Sequence, residues 1–274
     1  MRSLNQAAAT ISRRAALGVL IAVTTAGRRA AALPALKADE LVQFRVELPV
    51  DLHELAGRVR VARVAVATPA SFDPAQPWRV LIVNATSDPG YQSSRELMTA
   101  YRSGAVGAGW VALAADPDTE VSQDEDLLSL RYALASVAMD AVHPHWRDAG
   151  QATLAFAGFS GGAKYAGWLA ALFATQRARV IGIFLSGVNE EPVATAARQL
   201  KVLDEDYRSV PVFLQAGRSD TVATPNRHRE IRAELLRSGF RSVRLEVVEV
   251  GHKVDATWLR TALEWFASSE ANRR

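Results

Sequence analysis

The chain of 274 residues is 49% hydrophobic and 22% charged, proportions that suit one sizeable core and leave no room for two full enzyme domains. It has no cysteine, which excludes disulfides, thiol chemistry and a lipidated N-terminal cysteine. The formal charge of +3 belongs to residues 1–32, which hold Arg2, Arg13, Arg14, Arg28 and Arg29 and no acid. The remainder is net negative and carries no basic stripe with interleaved aromatics, so nothing points to nucleic acid.

In chain order, the first segment reads as an address. Ser12-Arg13-Arg14 precedes the apolar stretch Ala15–Val23, and Ala30-Ala31-Ala32 offers a small-residue cleavage site. The stretch is shorter than the roughly 20 residues a bilayer span needs. The arginine pair and the extra Arg28-Arg29 resemble a twin-arginine export signal, with Ala15-Ala16 where Phe-Leu is usual. A cleaved signal over 1–32, a short linker over 33–40 and a periplasmic or secreted domain without a membrane span are expected.

From about residue 41, strand-like and helix-like stretches alternate at the spacing of a parallel α/β domain. Leu41–Pro49 and Arg58–Thr68 have period-two apolar patterns and predict an antiparallel opening pair. Arg79–Val83, Trp110–Ala114, Leu154–Ala157, Val180–Leu185 and Val212–Gln215 are continuous apolar runs, as in strands buried on both faces. Val243–Val250 alternates partially and suits a strand nearer the edge. Helices are predicted over Leu127–Val142, after Gly161-Gly162, over Pro225–Leu236 with Thr224 as cap, and after Asp255. The last places Trp258, Leu259, Ala262, Trp265 and Phe266 on one face as core anchors. Asn189–Arg208 is an excursion too short for a large lid. A polar tail is expected over 269–274.

The run Thr153–Phe159 leads into Gly158-Phe159-Ser160-Gly161-Gly162 and then a helical stretch. A serine raised on a sharp strand-to-helix turn needs small neighbours, and Gly158 and Gly162 supply them. Acyl transfer by a hydroxyl also requires a base, an acid to orient it and donors for the oxyanion. Gly217-Arg218-Ser219-Asp220 and Gly251-His252 each follow a predicted strand, so Ser160, Asp220 and His252 gather at one sheet edge. Of five histidines, only His252 stands directly after a strand with glycine before it.

These three segments resemble the α/β-hydrolase superfamily, specifically compact lidless serine esterases of the dienelactone-hydrolase-like type, over about residues 41–268. The resemblance implies a single α/β domain: a mostly parallel sheet of about eight strands with helices on both faces. It implies Ser160 as nucleophile, His252 as general base and then acid, Asp220 as the group orienting His252, and the Gly161 N–H as an oxyanion donor. Where the family has His-Gly after the third strand, this chain has Asn84-Ala85-Thr86, which maps the second donor to the N–H of Thr86, or of Ala85. Glu190 and Glu191 are the rivals of Asp220.

Tyr91, Phe159, Tyr165 and Trp168 lie near the serine as pocket walls, with core packing as the alternative for the last two. His143-Pro144-His145 lacks a further ligand at metal spacing and reads as a solvated turn, and His228 sits on a charged helix. The acidic stretch from Asp116 to Asp126 reads as solvated; Val121 stands where an EF-hand loop needs glycine. The expectation is an exported serine hydrolase that cleaves small or polymeric esters without metal or organic cofactor. A peptidase or depolymerase with the same triad, and a non-catalytic binding protein, are the alternatives; composition gives no oligomeric state.

Overall fold

The computed structural model describes residues 35–121 and 127–271; the segment 1–32 read as an export signal lies outside them, as do Asp124, Glu125 and Asp126. One sheet runs in the order β1-β2-β4-β3-β5-β6-β7-β8. The strands are β1 (Leu41–Glu47), β2 (Val61–Ala67), β3 (Val80–Asn84), β4 (Val111–Pro117), β5 (Leu154–Phe159), β6 (Val180–Ser186), β7 (Val212–Gly217) and β8 (Val243–Val248). β1 pairs antiparallel with β2, and β2 with β4; every other neighbour is parallel. This is a single-domain α/β-hydrolase fold.

The helices are α1 (Ser94–Gly107), α2 (Leu127–Val142), α3 (Gly161–Thr175), α4 (Val193–Gln199), α5 (Glu205–Arg208), α6 (Pro225–Arg237) and α7 (Ala256–Ala271). The continuous apolar strands split their side chains between two cores because successive residues point to opposite faces. Val80 and Ile82, Val111 and Leu113, and Leu154 and Phe156 pack with α2, α3 and α6. Leu81 and Val83, Ala112 and Ala114, and Ala155 and Ala157 pack with α1 and α7. In β6 a Cβ on Gly182 would run into the Phe266 ring, so this glycine is what lets α7 settle on the sheet. Trp258 and Trp265 are half-buried, their ring centroids 6.5 and 6.2 Å from Phe213.

Several boundaries differ from the sequence reading. α1 was missed although Ser93 and Glu96 form a complete capping box at its start. α4 and α5 fill much of the 189–208 excursion. The linker is not free: Leu36 is buried, and the Thr68 hydroxyl donates to Lys37 O (2.5 Å) and accepts from Glu40 N (3.0 Å). α7 runs into the expected polar tail because Glu270 is buried between Arg79 (3.0 Å) and Arg179 (2.8 Å). Asp116 is not solvated; it is 2% exposed, ion-paired to Arg63 and bonded to the Ser94 N–H (2.8 Å) at the start of α1.

Candidate active site

The serine turn is built from the strain its glycines relieve. Ser160 has φ 51° and ψ −120°, a backbone conformation costly for a residue with a Cβ, between the end of β5 and the first turn of α3. A Cβ on Gly158 would collide with the Gly162 carbonyl, and one on Gly162 with the Asn84 carbonyl. Both positions must therefore be bare for β5, α3 and the end of β3 to meet. Ser160 N–H donates to Ser186 O (2.9 Å), tying the turn to β6.

Asp220 and His252 meet. Asp220 is 4% exposed; its Oδ1 accepts from the N–H groups of Val222 and Ala223 (2.8 Å each), and its Oδ2 is 2.7 Å from His252 Nδ1. A carboxylate can only accept, so Nδ1 carries the proton and Nε2 is left with a free lone pair. That Nε2 is buried and has no hydrogen-bond partner among the described residues. The ring lies 4.5 Å from the Phe159 centroid and against Gly187, beside the residues that flank Ser160 along the chain and across to β6. An imidazole held this way can take a proton from an alcohol, and catalytic contacts of this kind commonly close only around substrate.

The oxyanion side departs from expectation. Gly161 opens α3, so its N–H has no intrahelical acceptor, and it takes no other partner among the described residues. The Thr86 N–H, assigned by sequence as the second donor, instead donates to Tyr91 O (3.0 Å), closing the turn made by Ser87-Asp88-Pro89-Gly90. The Thr86 hydroxyl donates to Asp88 Oδ2 (2.8 Å) and fills the space next to Gly161 where a side chain would otherwise sit. Ala85, in the glycine position of the family pattern, packs its methyl with Leu97 and Met98 under α1.

Of the aromatic candidates, Phe159 is buried between Tyr91 (4.4 Å) and His252 and backs the imidazole rather than walling a pocket. Tyr165 faces α2, with the Arg131 guanidinium 4.3 Å from its ring, and Trp168 is core. The rival acids are engaged elsewhere. Glu190 pairs with Lys164 (3.1 Å); Glu191 accepts from Ala194 N (2.7 Å) and Thr195 N (3.0 Å) at the start of α4, and burial pushes its carboxyl up. His228 is buried rather than on the charged face of α6; Nδ1 bonds Thr224 O (3.1 Å), and burial pulls its pKa down. Among the described residues no cluster of metal-ligating side chains occurs, and no helix is long and apolar enough to cross a membrane.

The family model described as Serine hydrolase (FSH1) matches residues 107–255, more than half of the chain. The protein belongs to this serine hydrolase family. The matched stretch contains Ser160, Asp220 and His252, whereas Thr86 and Tyr91 precede it. No curated protein matches the sequence of this serine hydrolase. Among solved structures it is similar to a fungal esterase from Rhizomucor miehei, at 12% identity and TM-score 0.59 over 87% of each chain. It is similar to the Pyrobaculum calidifontis esterase, at 15% identity and TM-score 0.57 over 99% of this chain and 94% of that one. An α/β hydrolase from the metagenome of Lake Arreo, Spain, matches at 14% identity and TM-score 0.60 over 94% and 97%. At these identities the likeness speaks to the fold.

Proposed function

We propose that the protein is a carboxylic ester hydrolase working through an acyl-enzyme on Ser160. The observation that carries this reading is the Asp220–His252 hydrogen bond, which leaves a buried Nε2 with no partner among the described residues, on a ring 4.5 Å from Phe159, the residue before a serine held in the strained strand-to-helix turn. His252 Nε2 takes the Ser160 proton as Oγ attacks the ester carbonyl, and Asp220 stabilises the imidazolium that forms. The same proton passes to the departing alkoxide; water then repeats the sequence on the acyl-serine, with His252 again as base. The Gly161 N–H, at the positive end of α3, receives the oxyanion.

With the Thr86 N–H spent on Tyr91 O, the Ala85 N–H is the second oxyanion donor beside that of Gly161. The esterase names among structural relatives support the reading as an ester hydrolase. The arginine-led segment 12–32 supports export, to be checked by the location of the full-length chain with and without Arg13→Lys and Arg14→Lys.

A fluorophosphonate probe should label the wild-type protein and not Ser160→Ala, and the wild type should hydrolyse a short-chain aryl ester faster than the matched anilide. Labelling that survives Ser160→Ala, or none in the wild type, would remove Ser160 as nucleophile.

A further inference from the structure

His252 is carried in a segment without regular structure between β8 and α7, and β8 is an edge strand paired only with β7. The bond to Asp220 fixes one ring nitrogen but not the backbone from which the ring hangs. That backbone is gripped at three consecutive residues. Gln215, fully buried in β7, donates through Nε2 to Lys253 O (3.1 Å) and accepts through Oε1 from Asp255 N (3.0 Å). Between them the Val254 N–H donates to the Tyr91 hydroxyl (3.2 Å).

Tyr91 reaches further. Its carbonyl accepts the Thr86 N–H, so its backbone sets the loop after β3 that faces Gly161. Its ring packs on Phe159, whose other neighbour is the imidazole. One residue thus spans the loop beside the oxyanion site, the residue before the serine and the loop of the base.

We propose that Gln215 and Tyr91 are positioning residues for His252, clamping 253–255 so that Nε2 stays aimed at the Ser160 hydroxyl. The proposal rests on the reading of Ser160, His252 and Asp220 as a triad. Neither residue bonds the imidazole, so each acts through the loop. Lys253 is exposed and Val254 and Asp255 are half-buried, so released backbone groups can turn to water, which keeps the cost to the fold small. A shift of the ring by about 1 Å costs on the order of 100-fold in rate.

The test compares full-length wild type, Tyr91→Phe, Gln215→Met and Ser160→Ala on a short-chain aryl acetate, with rates divided by the sites that a fluorophosphonate labels to completion. Tyr91→Phe removes only the hydroxyl and leaves the ring on Phe159. Its kcat per labelled site should fall about 5- to 20-fold, and that of Gln215→Met about 10- to 100-fold, each with KM within about twofold. A merely structural role would lower the labelled fraction and leave kcat per site intact, and kcat per site within twofold of wild type in Tyr91→Phe overturns the proposal. If Gln215→Met does not fold, Tyr91→Phe alone decides. Activity retained by Ser160→Ala would refute the triad itself, a result separate from the outcome for the clamp.

Discussion

Replacing Asp220 by Asn tests the site at its most constrained atom. Two backbone donors, the part-buried Val222 N–H and the buried Ala223 N–H, converge on Oδ1 at 2.8 Å each, while His252 Nδ1 faces Oδ2 at 2.7 Å. A carboxamide has one acceptor oxygen to divide between these sides. Turning the oxygen toward His252 sets the amide NH2 against two N–H groups, and each buried donor left unpaired costs about 1–3 kcal/mol. Keeping the oxygen on the backbone donors retains both of those bonds and only reverses the one to the imidazole, so this arrangement wins by on the order of 1–3 kcal/mol. The NH2 then donates to Nδ1, the ring proton moves to Nε2, and the base is lost. In the Ser-His-Asp template this wrong tautomer lowers kcat about 10,000-fold, and a loss of about 1,000- to 10,000-fold is expected here. Initial rates on an aryl acetate, with circular dichroism to verify the fold, measure it. A kcat within about tenfold of wild type would refute both the tautomer argument and Asp220 as the orienting acid.

Two further outcomes follow from side chains near the site. Glu191→Ala removes the cap of α4 and should cost about 1 kcal/mol in urea unfolding with kcat unchanged; a collapse of kcat would make Glu191 the acid in place of Asp220. His228 is buried with its pKa lowered, so the unfolded chain binds the proton more readily than the folded one. Stability on its account is complete above the ordinary histidine value of about 6.5 and is lost as pH falls below it, toward the lowered folded value. Wild type should lose more of its urea midpoint than His228→Leu between neutral and mildly acidic pH, and parallel curves would contradict this.

The sheet was legible because its central strands are unbroken Val, Leu, Ile and Ala runs, a pattern only a two-sided burial produces. Gly158 at the end of β5 and Gly162 in the first turn of α3 were readable for the same kind of reason: backbone crowding admits no substitute. α1 was not legible despite Ser93-x-x-Glu96, because its buried face is spaced out among polar residues and forms no apolar run. The roles of Thr86, Tyr91 and Gln215 were beyond reach. Whether a backbone N–H is spent on a turn, or a glutamine in a strand grips a loop 38 residues away, depends on contacts no local pattern encodes. His228 was misjudged because Arg227, Arg229 and Glu230 surround it in sequence, while the helical period turns it inward.

The strand order gives the reacting groups unequal footing. Ser160 rises from β5, which has neighbours on either side, whereas the imidazole follows β8, whose outer backbone groups meet no other strand among the described residues. On warming, the hub and the rim need not fail together. If β8 frays before β5, it carries off the proposed base while the proposed nucleophile stays seated, and turnover then ends at a lower temperature than the fold.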